Sequence, residues 1–361
     1  MLLSDQQIEA ISSPLGQAQT LPPIVYRSPV LFEQECEAIF YKEWICVARE
    51  DQIPNPGDYL RVDVLKQPLI LARQPDSSLH AMSAICAHRG MPLVKEGGNA
   101  SHFQCPYHLW RYDSLGKLVS KPLMEGVEVP SDCQLPPVLV ETWQGFVFVN
   151  LDCEAAQLLP RLGQLEDIVE PYGMQDMVWV SSSEWDCPWN WKILVENFME
   201  AYHHLGPHSQ SIQPTHAASD SYSVGKERDG WSLLCMPPRE SGSEADALAG
   251  IIMPSFCWLN IAGGSGAFWY QLLPSSHDQM TLVLHTLLPA AIAHGPDREA
   301  AAQAMQTVID GIHEEDIAVN SGPWVGVNSP LAQQGFLSQF EKSIWQFNQW
   351  WLSRMIETEI S

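Results

Sequence analysis

Apolar positions recur along this chain in two rhythms. Between Pro29 and Ala48, Leu31, Phe32, Cys36, Ile39 and Phe40 fall at helical spacing and predict a helix. From about Trp44 to Leu151 the pattern shortens to strands. "PLILAR" and "LHAMSAI" flank the turn "QPDSS" and read as a hairpin, and "PVLVET" and "GFVFVNL" flank "WQ" as another. Beyond Leu151 the two rhythms mix. "WNWKILVENFMEAYHH" reads as a helix, and "IIMPSFCWLNIAGG", "GAFWYQLLP" and "MTLVLHTLLP" as successive strands of an antiparallel sheet. "REAAAQAMQTVIDGIHEED" and "LSQFEKSIWQFNQWWLSRM" read as closing helices, the last with an apolar stripe of Phe340, Ile344, Phe347, Trp351 and Met355 that suits core packing.

This divides the chain into an N-terminal helical segment (1–43) docked on the last domain, an all-β domain (44–155) and an α+β domain (156–361). A length of 361 residues allows about two domains with cores of their own. With 45% hydrophobic and 17% charged residues, the composition is that of a soluble globular protein. Met1 to Ala18 has no basic start and no long apolar run, and no apolar segment approaches the ~20 residues of a membrane span, so a cytoplasmic location is expected. The 43 acidic residues outnumber the 19 basic ones, for a net charge of −24, which disfavours nucleic acid and anionic lipid as partners. Nine cysteines scattered over a chain of this length suit reduced thiols and a metal site better than a disulfide framework.

The β domain contains Cys86-x-His88, sixteen residues, then Cys105-x-x-His108. Each loop offers one thiolate and one imidazole, with Gly90, Pro92, Gly97, Gly98 and Pro106 supplying bends. Two cysteines and two histidines fit either one zinc ion or a 2Fe-2S cluster with cysteine on one iron and histidine on the other. Zinc fingers usually pair like with like. The order Cys-His-Cys-His, continued by "CPYHLWRYDSLGKL", resembles the Rieske cluster-binding motif. His102 lies off that pattern and reads as a surface residue. Neutral imidazoles make such a cluster less negative and raise its potential above that of an all-cysteine cluster.

In the last domain, "ENFMEAYHHLGPH" crowds His203, His204 and His208 with Glu196 and Glu200. Leu194, Phe198 and Tyr202 form an apolar row, and Glu196, Glu200 and His203 a polar one. Gly206-Pro207 is expected to end the helix just after Leu205. On a continuous helix His203 and His208 would sit about 140° apart, so a break between them is needed to bring both to one metal. Two histidines and a carboxylate make the facial triad of non-haem Fe(II) oxygenases, which leaves positions open for oxygen and substrate.

From Trp44 to the last helix, the chain resembles the oxygenase (alpha) component of Rieske non-haem iron ring-hydroxylating oxygenases. The resemblance implies an α+β fold: an all-β Rieske domain plus a helix-grip (START-like) catalytic domain of antiparallel sheet and helices. It implies Cys86, His88, Cys105 and His108 as cluster ligands and His203, His208 and Asp316 as mononuclear iron ligands, with Asp310, Glu314 and Glu315 as rivals for the third position. It implies a homotrimer in which Glu200 bridges to the His108 of a neighbouring subunit, the two iron sites of one chain being too far apart for fast transfer. Glutamate at that position, where ring dihydroxylases carry aspartate, is similar to the choline, betaine and carnitine monooxygenase branch. His204 reads as a non-ligand, Glu196 and Asn197 as supporting residues, and Trp191, Phe198 and Tyr202 mainly as core, Tyr202 with a second reading beside the metal ligands. Phe256, Trp258, Phe268, Trp269 and Tyr270 are candidates to face a pocket for an aromatic ring or a quaternary amine.

The expected activity is O2 activation at iron to hydroxylate or oxidatively demethylate a small organic substrate. No G-x-G-x-x-G stretch occurs, so electrons from NAD(P)H are expected through a separate flavin- or ferredoxin-type reductase. Cis-dihydroxylation of an aromatic ring is the alternative reaction. A pure electron-transfer Rieske protein or a zinc-stabilised binding module are the readings from other classes.

Overall fold

Two antiparallel sheets, each of seven strands, organise the computed structural model, which describes residues 3–225, 229–239 and 245–357. They belong to two compact units, Tyr41–Gln157 and Met1–Phe40 with Leu158–Ser361.

In the first unit the strand order is Ile45–Arg49, Phe146–Asn150, Pro137–Trp143, Leu79–Ser83, Gln67–Arg73, Asp58–Val64 and Gly98–Asn99. A separate three-stranded sheet, His102–Gln104, Arg111–Asp113 and Leu118–Ser120, carries the second Cys-His loop at its first turn. The hairpin expected around "WQ" turns one residue later. Trp143 pairs with Phe146, and Gln144 and Gly145 have φ of 50° and 76°, the two left-handed residues of a type I′ turn. A side chain on Gly145 would also start 2.7 Å from the guanidinium of Arg49, which is buried, donates to the Gln144 carbonyl at 2.9 Å and lies over the Phe146 ring.

The helix expected over 29–48 is shorter. Ser28 caps Pro29–Glu35 by accepting from the Leu31 amide, a π turn covers Cys36–Phe40, and Ile45–Arg49 is a strand buried along its whole length. A run buried on every side has no periodicity that separates a helix from a central strand.

The second sheet comprises β1 (Met177–Cys187), β2 (Tyr222–Val224), β3 (Trp231–Met236), β4 (Ala247–Ile252), β5 (Phe256–Asn260), β6 (Ala267–Ser276) and β7 (Gln279–Pro289). Strands β2 to β7 form a meander and β1 pairs with β7. "IIMPSFCWLNIAGG" is two strands, because the chain turns at Met253-Pro254 between β4 and β5. Three helices matter for the site: α1 (Trp191–Phe198), α2 (Arg298–Val327) and α3 (Lys342–Glu357). Helix α2 lies on β1 and β7, where Gln306 accepts from Ser181 and Thr286 at 2.9 and 2.8 Å and donates to Ser183 at 3.0 Å. Helix α3 is tied to β3, where the Ser232 hydroxyl meets Ser343 and Gln346, each at 2.7 Å. Ile344, Phe347, Trp351 and Met355 are buried as the stripe predicts, while Phe340 sits in the turn before the helix and is half-buried.

The N-terminal segment is part of this unit. Trp345 donates to the Ser13 carbonyl at 2.9 Å. Glu35, wholly buried, collects Lys192 at 2.6 Å, Trp351 at 2.7 Å and Trp191 at 3.1 Å. Three donors on one carboxylate are what a charge pair out of water requires. No helix among the described residues is long and apolar enough to cross a membrane.

Candidate metal centres

Helix α1 is eight residues long, capped by Asn190 accepting from the Lys192 amide, and it ends at Phe198 rather than at Leu205. Met199 and Ala201 leave helical dihedrals, and a 3-10 turn covers Tyr202–Leu205. Glu200 stands at that break: its Oε2 accepts from the His203 amide at 2.9 Å, inside the new turn, while Oε1 meets His203 Nδ1 at 2.7 Å. Tyr202 is thereby turned outward, 48% exposed, and is not core.

Among the described residues, one set of three histidine, cysteine or acidic residues brings its ligand atoms within 4.8 Å of one another: His203, His208 and Asp316. Asp316 Oδ1 lies 3.0 Å from His208 Nε2 and 3.7 Å from His203 Nε2. Each imidazole therefore turns Nε2 inward and gives Nδ1 to a carboxylate. Glu200 takes that of His203, and Glu315 takes that of His208 at 2.6 Å while also accepting from Ser211 at 2.6 Å. A carboxylate behind each histidine fixes the tautomer that leaves Nε2 free for a metal. Burial alone would lower the His208 pKa, but the hydrogen bonds and charges of Asp316 and Glu315 outweigh it and raise it.

The rival acids are occupied elsewhere. Asp310 accepts from Ser183 at 2.6 Å and from Gln306 at 3.0 Å, Glu314 is exposed, and Glu315 stands behind His208. His204 stays outside the three-residue set and is buried, with its pKa pushed down to about 3 by burial and then by His203 and His208, so it is neutral. Glu196 accepts from the Tyr26 hydroxyl at 2.6 Å and does not reach the metal set, while Asn197 lines the adjoining cavity.

That cavity, about 290 Å³, opens from the three-residue set onto the face of β3 to β6. Phe268 and Tyr270 line it. Phe256, Trp258 and Trp269 do not: strand alternation carries them to the opposite face, where Phe256 stacks on Trp258 and Trp269 on His285. Sequence reading named Glu315 only as a rival ligand, not as the carboxylate behind His208, and passed over the aliphatic lining of Leu234, Met236, Leu259 and Ile312. A period of two along β3 and β5 is the signal that could have found the strand residues.

In the β unit, two loops of matching form bring Cys86, His88, Cys105 and His108 together. The Gly90 amide bonds the Cys86 carbonyl at 3.0 Å and the Leu109 amide bonds the Cys105 carbonyl at 3.0 Å. Both closing residues have positive φ, 71° at Gly90 and 59° at Leu109, the latter a strained choice for a branched side chain. Both cysteines are buried, and the histidines reach the surface. Nδ1 of His88 and of His108 is buried without a partner. Tyr112 accepts from the Ala87 amide at 3.0 Å, which leaves its own proton for Cys86 Sγ at 3.3 Å. Trp110 stacks on His88 with ring centroids 4.8 Å apart. Two buried cysteine sulfurs beside two buried, unpartnered imidazole nitrogens are the donor set of a two-iron cluster with cysteine on one iron and histidine on the other.

Comparison with known proteins agrees with both centres. Residues 43–131 match the Rieske [2Fe-2S] domain family, and residues 174–357 match the ring hydroxylating alpha subunit (catalytic domain) family. These two domains imply a Rieske cluster and a mononuclear iron. The oxygenase subunit of carnitine monooxygenase from Acinetobacter baumannii is 35% identical over 195 residues, 53% of this chain and 52% of that protein. Biphenyl 2,3-dioxygenase subunit alpha from Rhodococcus jostii is 34% identical over 197 residues, 52% of this chain and 42% of that protein. The matched segments thus span about half the length of these curated relatives. A quaternary ammonium Rieske monooxygenase solved with L-carnitine has the same fold, with a TM-score of 0.82 at 24% identity over 94% of this chain and 96% of that one.

Proposed function

We propose that this chain, which belongs to the ring hydroxylating alpha subunit family, is the oxygenase component of a multi-component enzyme that hydroxylates or oxidatively demethylates a small organic molecule. The observation that carries the reading is the convergence of His203, His208 and Asp316, with a carboxylate behind each imidazole. In this reading those three hold the mononuclear iron on one face and leave the cavity side open. Cys86 and Cys105 take one cluster iron, and the orphaned Nδ1 atoms of His88 and His108 take the other. When bound, the iron supplies dioxygen activation and the cluster supplies electrons, received from NAD(P)H through a separate flavin- or ferredoxin-type reductase. The protein's own work is to orient and to exclude water. Glu200 holds His203 in one tautomer and couples it to His108 of a neighbouring copy in a homotrimer, a role that its 2.7 Å bond to His203 supports.

The relatives act on quaternary amines and on biphenyl by their names, and Glu200 in place of aspartate favours monooxygenation or demethylation over cis-dihydroxylation. The first test is metal content. The purified protein should hold a cluster with the EPR signal of a reduced Rieske centre, plus one further iron per chain that Asp316→Ala removes without touching that signal. If Asp316→Ala keeps its full iron, the assignment of the second centre is wrong. Glu200→Gln should retain both centres yet lose most coupled turnover. Incorporation of oxygen-18 then decides the reaction: two labelled oxygens on one ring would make it a dioxygenase.

A further inference from the structure

We infer that the cavity beside His203, His208 and Asp316 takes an uncharged, largely hydrocarbon molecule and turns away zwitterions that carry a carboxylate. This rests on reading the site as an oxygenase centre. Among the described residues that line the cavity, none is lysine or arginine. A carboxylate stripped of water there would find no cationic side chain among these residues; the iron of the reading above would be the one positive charge, confined to the metal end, and elsewhere such burial is costly enough to exclude the ligand. The metal end presents Glu200 and Asp316, whose two negative charges would balance the iron's and leave no net attraction for an anion.

A quaternary ammonium head fares little better. Proteins hold such cations between several aromatic faces. The aromatic lining here is Phe198, Phe268 and Tyr270, and Phe198 and Tyr270 turn onto each other with centroids 4.7 Å apart at 58°. Part of their π surface is therefore covered by the partner ring. Glu200 and Asp316 are committed to imidazoles at 2.7 and 3.0 Å, so neither carboxylate is free to balance a substrate cation. Most of the remaining wall is aliphatic, with Leu194 and Ile312 from the helices and Leu234, Met236, Ala249 and Leu259 from the sheet, and its polar members, Asn197, Asn260 and His216 among them, carry no positive charge that could pair with a carboxylate. It offers a cation only desolvation, and it offers a hydrocarbon close packing.

Among the described residues, Arg239 is a cation bonded through its backbone to the lining. The Arg239 amide bonds the carbonyl of Thr215, a lining residue, at 2.8 Å, and the Arg239 side chain is exposed. A zwitterion that leaves its carboxylate on Arg239 is the rival arrangement, and the experiment includes it.

The experiment measures equilibrium binding to the holoprotein by calorimetry for two pairs that differ in charge and share a shape: phenyltrimethylammonium against tert-butylbenzene, and choline against 3,3-dimethylbutan-1-ol. L-carnitine is the zwitterion. The neutral member of each pair should bind at least about tenfold more tightly. Ala249→Phe, which fills the space opposite Leu259, should weaken tert-butylbenzene about tenfold or more while keeping the EPR signal of the reduced cluster. Charged members that bind as tightly as their neutral partners would overturn the inference. So would L-carnitine displacing tert-butylbenzene in wild type with that displacement lost in Arg239→Gln. The oxygenase reading fails separately, by absence of the Rieske signal or of the further iron in the same preparation.

Discussion

Removing Glu315 should loosen a metal held by His203, His208 and Asp316 without touching any of those three proposed ligands. Glu315 Oε2 is 2.6 Å from His208 Nδ1 and 2.6 Å from Ser211 Oγ, so it holds the imidazole from behind and is itself held. A hydrogen bond to a charged group contributes roughly 1.5–3 kcal/mol when buried. The Glu315 side chain is 36% exposed, which places it at the lower end through solvent screening. About 1–2 kcal/mol corresponds to roughly five- to thirtyfold in metal affinity, within the range for carboxylates that back a metal-bound histidine. Glu315→Gln keeps an acceptor and loses the charge, so it should fall at the mild end. Glu315→Ala loses both and frees the ring to rotate, so it should fall at the severe end. The assay is competition for Fe(II) against a chromogenic chelator, on protein whose cluster spectrum is intact. Glu314→Gln is the internal control: its neighbour in sequence is exposed and should leave the affinity unchanged. An Fe(II) affinity for Glu315→Ala within twofold of wild type would refute the argument that the second carboxylate organises the site.

Other perturbations test other links. Tyr112→Phe removes the donor to Cys86 Sγ; losing a neutral hydrogen bond of about 0.5–1.5 kcal/mol should lower the cluster potential by about 20–60 mV, and an unchanged potential in a redox titration would rule the bond out as a determinant. Gly250→Val puts a side chain where Cβ alone would lie 2.1 Å from the Trp258 indole, so a loss of about 3 kcal/mol or more and a Tm lower by several degrees are expected; a Tm within a degree of wild type would mean the sheet yields there. Burial raises the Glu196 pKa from an ordinary 4.5 to about 7. The unfolded chain then gives up that proton before the folded one does, so this group makes stability fall as pH rises from about 4.5 to 7 and stay level above, by up to about 3 kcal/mol. Glu196→Gln should flatten that decline in denaturant melts between pH 5 and 8; the same slope as wild type would mean the carboxyl is ionised throughout.

Much of the architecture was legible because turns and alternation are local. The β-hairpins around "QPDSS" and Gln144-Gly145 needed only their own residues. What misled was burial on all sides. Ile45, Cys46, Val47 and Ala48 are all buried in a strand, and their uniform apolarity extends a real helical pattern past its end. The end of α1 was misplaced for a different reason. Gly206-Pro207 is the strongest stop signal in the sequence, yet the helix stops eight residues before Gly206, at a break where Glu200 accepts from the His203 amide. A side chain bonded inside a new turn within a helical pattern carries no mark that separates it from an ordinary exposed glutamate.

The same difficulty governs Asp316, the proposed third ligand. Glu314, Glu315 and Asp316 are equivalent in a sequence, and only the phase of α2 separates them. The buried residues of that helix are Ala302, Gln306, Ile309, His313, Asp316 and Asn320, at alternating steps of four and three. Such a stripe is the face that packs on the sheet. Four of its six members are polar, so a search for apolar periodicity passes over it. Asp316 lies on the stripe, and about 100° per residue carries Glu315 off it to the outer nitrogen of His208 and Glu314 round to solvent. Buried polar side chains need partners, and three of the four on this stripe have one, while among the described residues His313 meets only the edge of the Trp185 ring. Gln306 finds the serine and threonine hydroxyls of β1 and β7, and Asp316 finds two imidazoles. The phase of that polar stripe, which the fold supplies and apolar periodicity does not, is what sets Asp316 apart from its two acidic neighbours.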